Sequence, residues 1–231
     1  MGVEISPVFC HLNFSIVMTN QDLLAVAKEF GSPVYVYDAE KIAFQFNRLK
    51  NAFSEIKDLR IHYAVKALSN ISILKYLNSL GSGMDTVSVQ EVKLALKAGV
   101  APKDIIYTPN GVSLEEIEQV VRLGVQINID NLSILEQFGA KHPEVPVCIR
   151  INPHILAGGN SKISVGHVDS KFGISIHQMP LLLRIVENTG MNINGIHMHT
   201  GSYILYIEVF LRASEILFDS AKNFKNLEFL D

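Results

Sequence analysis

The chain has 231 residues, of which 48% are hydrophobic and 19% charged, a composition that suits a globular protein with one large core or two small ones. A net charge of −3 and the lack of any Lys/Arg-rich block exclude nucleic-acid binding through a basic surface. No apolar run approaches the ~20 residues of a membrane span, residues 1–17 lack the positive start of a secretion signal, and Cys10 and Cys148 stand far apart without metal spacing, so a reducing, cytoplasmic setting is expected.

In chain order, Thr19-Asn20-Gln21-Asp22 is a helix-start pattern. It makes Met18 a candidate start and residues 1–18 an extension. A helix is predicted over 21–30, a strand over 33–37, and a second helix over 39–56, where Ile42, Phe46, Leu49 and Phe53 recur at helical spacing. Residues 19–58 thus lead into a second segment, 59–231, with a simpler rhythm. Its strand candidates are 59–67, 83–88, 105–109, 125–130, 145–152, 193–200 and 227–231. Helix candidates lie at 71–80, 89–98, 114–123, 132–138, 179–188 and 209–221. Ser88 to Glu91 and Ser113 to Glu116 read as capping boxes. Gly81, Gly99 and Gly124 fit left-handed helix ends.

Strand, helix, strand at this spacing is a run of βαβ units, hence an α/β fold with a parallel sheet covered by helices. The strands read as apolar enough to be buried on both faces. Seven of them after residue 58 suggest a (β/α)8 barrel one strand short. An open doubly wound sheet is the competitor. Against it, no Gly-x-Gly-x-x-Gly turn follows the first strand, and Gly81-Ser82-Gly83 precedes a strand instead. The connection 153–172 is long and rich in Gly and Ser, a kind of loop that is usually functional.

Barrel enzymes carry their reacting groups at the C-terminal ends of strands. Applied here, that rule gathers Lys66, Asp85 with Ser88, Asn110, Asp130, Arg150 with Asn152, and His197 with His199 at one mouth. Lys66 ends an apolar run from Leu59 to Val65 broken only by Arg60 and His62. A lysine there is a candidate for carbonyl chemistry, since desolvation lowers an amine's pKa toward the neutral, attacking form. Each residue has a plainer role open to it: Asp130-Asn131 as a helix cap, the histidines as local hydrogen-bond partners. His-x-His is also a metal spacing, but no acidic partner with its own spacing accompanies it, and no metal is expected.

Four motifs carry a resemblance: Tyr63-Ala64-Val65-Lys66-Ala67, Arg150-Ile151-Asn152-Pro153, Ser170-Lys171-Phe172-Gly173-Ile174 and His197-Met198-His199-Thr200-Gly201-Ser202. In this order they resemble the diaminopimelate decarboxylases, fold-type III pyridoxal-phosphate enzymes related to ornithine and arginine decarboxylases and alanine racemase. The resemblance spans roughly residues 20–231. It implies a TIM-type barrel of the alanine racemase and ornithine decarboxylase N-terminal kind, incomplete at its C-terminal end, with pyridoxal 5'-phosphate as cofactor. It implies that Lys66 condenses with the cofactor aldehyde and that His199 stacks on the ring. Ser202 and Gly201 would meet the phosphate. Ala64, Asp85 and Arg150 would line the site near the lysine and the phenolic oxygen, and Lys171 would lie at a dimer interface.

The implied activity is decarboxylation of meso-diaminopimelate to L-lysine and CO2, with an amino-acid substrate and a homodimeric assembly. The family's glycine loop, Glu-Pro-Gly-Arg segment and C-terminal β-domain have no counterpart in 1–231. The chain is therefore expected to be a truncated form, impaired alone. The alternatives are an ornithine/arginine-type or carboxynorspermidine-type decarboxylase, or a non-catalytic single-barrel pyridoxal-phosphate protein. The last completes its barrel within a similar length, which this chain does not.

Overall fold

The computed structural model describes residues 18–155, 171–202 and 204–231. The extension before Met18, Cys10, Ser170 and most of the 153–172 connection lie outside them. The chain opens with two capped helices. In α1 (Asn20–Phe30) the Thr19 Oγ1 accepts from Asp22 N–H at 3.3 Å, and Asp22 Oδ2 accepts from Thr19 N–H at 2.7 Å, a complete capping box. Asp38 caps α2 (Ala39–Ala52), which ends at Phe53 rather than at residue 56. The strand expected over 33–37 does not form. Val34, Tyr35, Val36 and Tyr37 are exposed, and the segment pairs with no strand among the described residues.

From there strands and helices alternate: β1 (His62–Ala64), α3 (Ile71–Ser79), β2 (Gly83–Thr86), α4 (Val89–Lys97), β3 (Ile105–Tyr107), α5 (Leu114–Val121), β4 (Gln126–Ile129), α6 (Leu132–Lys141), β5 (Val147–Asn152), β6 (Ile174–Ser175), α7 (Met179–Thr189), β7 (Ile193–Met198), α8 (Ile207–Ala221) and β8 (Phe229–Leu230). Every pairing is parallel, in the order β1-β2-β3-β4-β5-β7-β8. The short β6, absent from the sequence expectation, pairs with the end of β5. This is the parallel half-barrel expected. Most strands are shorter than expected, at one end or at both.

Asn70, Ser88, Ser113 and Asn131 cap successive helices with their side chains. The two boxes expected at Ser88 and Ser113 are only half made. Glu91 Oε2 accepts from Val87 N–H at 2.8 Å, one residue before the cap. Glu116 Oε1 accepts from the Tyr107 hydroxyl at 3.0 Å. In both, the acid finds a better-placed donor than the cap's own amide.

The two sheet faces differ, against the expectation of strands apolar on both sides. Toward the helices, Met84, Ile105, Tyr107, Ile127, Ile129, Val147, Ile149, Ile151, Ile193 and Ile196 share one apolar cluster with Leu74, Val92, Ile117, Leu135, Phe138 and Leu182. Side chains alternate along a strand, so the other face carries Asp85, Gln126, Asn128, Arg150 and His197. These polar groups pair among themselves. Gln126 and Asn194 exchange amide hydrogen bonds at 3.2 and 2.9 Å, and Asn128 Nδ2 donates to Thr108 Oγ1 at 3.1 Å. A register shift between β5 and β7 near Val147 re-phases β7.

Candidate active site

The strand ends set the site. Ala64, the last residue of β1, is level with Asp85 on β2. Arg150 on β5 is level with His197 on β7, and His199 follows two residues later, past the paired part of the strand. After Ala64 the backbone tightens into a 3₁₀ turn, Val65–Ala67, that carries Lys66. Val65 is buried in the core and Lys66 is exposed. The desolvation expected for this amine is therefore not supplied by the described residues. The physical reason is its position: β1 is the outermost strand at one end of the sheet order, so a neighbour walls it on one side alone.

The charged groups nonetheless act on one another. Burial pushes the Asp85 carboxyl up; the Thr108 hydrogen bond and the charges of His197 and Lys66 oppose this, while Asp231 adds to it. Burial lowers the His199 imidazole to about 4, assisted by Arg150, His197 and Lys66 and opposed by Asp231. His199 is thus neutral at pH 7. Burial also depresses the Arg150 guanidinium, with Asp130, Asp85 and Asp231 pulling the other way. Strand register puts Asp85, Arg150 and His197 on one face of the sheet, with Lys66 and His199 just past the ends of β1 and β7.

Arg150 is only 7% exposed. It lies over the Phe172 ring at 4.8 Å, and the Lys171 ammonium sits 5.0 Å from the same ring. Among the described residues Arg150 makes no ion pair with a carboxylate. Phe172 was not singled out from the sequence; its place in a Lys-Phe-Gly run was the available signal. Gly173 explains the rest of that run. At φ 80°, a Cβ on it would press on the Ile151 backbone. Only glycine lets the chain come close enough for Ile174 to pair with Ile151.

Asn131, not Asp130, caps α6. The buried Asp130 carboxylate takes Asn110 Nδ2 at 2.5 Å and Asn131 Nδ2 at 3.2 Å instead. Asn152 accepts from His154 N–H at 3.0 Å. Thr200 is buried, Gly201 half-buried at φ 141°, and Ser202 exposed. Cys148 is fully buried and its thiol is pushed well up by burial, as a core residue's would be. Among the described residues no group of three His, Cys, Asp or Glu could hold a metal ion, and no helix is long and apolar enough to cross a membrane. Sequence reasoning named His197 but not its partner: His197 Nδ1 donates to Asp231 Oδ2 at 2.7 Å.

These features define an α/β domain whose parallel strands deliver an amine, a guanidinium, a carboxyl and a neutral imidazole to one mouth. Residues 39–229 match the pyridoxal binding domain of the pyridoxal-dependent decarboxylases. The chain belongs to that family. It is 36% identical over 208 residues to the diaminopimelate decarboxylase of Methanothermobacter thermautotrophicus, covering 89% of this chain and 49% of that protein. It is 35% identical over 193 residues to the Escherichia coli K12 enzyme of the same name, covering 82% and 44%. The crystal structure of diaminopimelate decarboxylase from Helicobacter pylori complexed with L-lysine superposes with a TM-score of 0.72 at 33% identity, covering 84% of this chain and 52% of that one. The chain spans about half the length of the curated relatives it matches.

The residues present fit a pyridoxal phosphate group. Arg150 is a buried cation without a carboxylate ion pair among the described residues, and so is open to an anionic oxygen. Gly201 adopts a backbone geometry that side chains rarely allow, which leaves bare backbone two residues from His199. An imidazole neutral at pH 7 can lie on a ring without bringing charge to it.

Proposed function

We propose that this chain holds pyridoxal 5'-phosphate at the strand mouth, and that the whole protein decarboxylates meso-diaminopimelate to L-lysine and CO2. One observation carries the reading: in the all-parallel sheet the turn that carries Lys66 follows β1 and His199 follows β7, so both lie at the same end of the sheet as the level pair Arg150 and His197. Lys66 is the residue for covalent attachment through its side-chain amine, which must be unprotonated to attack an aldehyde. His199 would pack against the ring as a neutral imidazole at pH 7, keeping a single ring N–H. Gly201 and Ser202 offer backbone and hydroxyl to the phosphate. Arg150 would meet the phenolic oxygen, and Ala64 and Asp85 would complete the wall beside Lys66. When bound, the cofactor supplies an electron sink for the carbanion left by loss of CO2. Lys66 would be the amine at the mouth able to return a proton to the substrate carbon.

The L-lysine in the Helicobacter pylori structure supports an amino-acid substrate with a distal amine. A homodimer in the cytoplasm completes the proposal, with Lys171 at its interface; sedimentation of the whole protein tests the assembly. Activity is tested by incubating the product of the complete reading frame with pyridoxal phosphate and either meso-diaminopimelate or L-ornithine. Release of CO2 and L-lysine from the first alone is the expected result. Turnover of ornithine without diaminopimelate would overturn the substrate assignment.

A further inference from the structure

Asp231 holds the end of β7 at three successive residues. Its N–H donates to Ile196 O at 2.9 Å, its carboxylate accepts from His197 Nδ1 at 2.7 Å, and its carbonyl accepts from Met198 N–H at 2.9 Å. His199 is the next residue and lies beyond the paired strand. Its position therefore depends on how firmly the strand is held up to residue 198. Alternation puts His197 and His199 on one face. His197 is 14% exposed and level with Arg150 across the sheet. A carboxylate on one ring nitrogen fixes an imidazole's tautomer and orientation, which leaves Nε2 as its remaining polar group.

We propose that His197 is a positioning residue of this site, pinned by Asp231 so that the strand end delivers His199 in one place. This rests on reading the mouth as a pyridoxal phosphate site. The titratable and charged groups that bear on His197 come from several elements: Asp85 on β2, His199 after β7 and Asp231 after β8, with Arg150 on β5 level with it across the sheet. The electrostatics agree with the geometry. Burial works against ionisation of Asp231, but the His197 hydrogen bond and the charges of His197, His62 and Arg150 outweigh it and hold that carboxyl below its ordinary value. His197 also bears on Asp85 and on His199.

The test uses the full chain. Ring nitrogen NMR of the wild-type protein should show His197 protonated at Nδ1 throughout the neutral range. Titration with pyridoxal phosphate, followed by visible absorbance, should show affinity falling about tenfold to a hundredfold in His197→Ala and Asp231→Ala, the size of one hydrogen bond to a charged group. The His199 ring resonances should shift in the same variants, with circular dichroism unchanged. Asp231→Asn keeps both main-chain bonds and an acceptor, and should stay closer to wild type than Asp231→Ala. A wild-type His197 protonated only at Nε2 would overturn the proposal. So would His197→Ala binding cofactor as wild type does with unmoved His199 resonances. Wild-type protein that takes up no cofactor would instead sink the underlying site reading, and the ring spectra would then decide the His197–Asp231 pair alone.

Discussion

His199 shows most clearly what a single residue contributes. Its folded-state value of about 4 lies below its ordinary 6.5. Between those values the unfolded chain binds more protons than the folded one, so stability rises with pH across that window. Full stability is present above about 6.5 and falls as the pH drops toward 4. Urea unfolding of wild type and His199→Asn across this range should show the variant's dependence flattened. At this scale the sequence was informative about residue type and segment: Asp85 and Arg150 lie within β2 and β5, and His199 just past β7. The exposure of Lys66 was not legible, because it depends on what walls the outermost strand, and no local pattern encodes that. The role of Phe172 was equally hidden, since a ring under a guanidinium is a meeting of segments far apart in the chain.

Elements were the most legible scale. Caps at Thr19, Asn70, Ser88, Ser113 and Asn131 form where short polar residues precede apolar periodic runs. Asn131→Ala should cost about 1 kcal/mol through α6, read as a lower denaturation midpoint, and should also remove one amide from Asp130. The segment 33–37 has the β-branched and aromatic composition of a strand yet pairs with no strand among the described residues, because composition reports what a segment could bury and not whether a neighbour is there. β6 escaped notice because it has two residues, too short for any periodicity. A glycine tests the packing of β7 on β8. A Cβ at Gly195 would collide with the Phe229 ring, so Gly195→Ala should destabilise by about 1–3 kcal/mol, as overpacking does, and Phe229→Leu in the same chain should recover part of that loss in thermal unfolding.

For the whole molecule, the helix-facing side of the sheet bears the stability. Leu182 is completely buried between α7 and the sheet, whereas Phe218 on α8 is 60% exposed. Leu182→Ala should cost about 2–5 kcal/mol and Phe218→Lys should stay within about 0.5 kcal/mol; chemical denaturation distinguishes them. The overall architecture followed from alternation alone, since repeated βαβ units leave few topologies. The polar inner face did not, although it was written in the alternate residues of Gln126-Ile127-Asn128-Ile129-Asp130 and Cys148-Ile149-Arg150-Ile151-Asn152. The apolar partners of each drew the reading toward strands buried on both sides.

The most direct test is reductive trapping. The chain is mixed with pyridoxal phosphate, treated with borohydride and digested, and the modified peptide is mapped by mass spectrometry. Attachment at Lys66, lost in Lys66→Ala and weakened in His199→Ala, is the predicted result. Attachment spread over surface lysines, with Lys66 no more modified than the others, would contradict a cofactor held at the strand mouth.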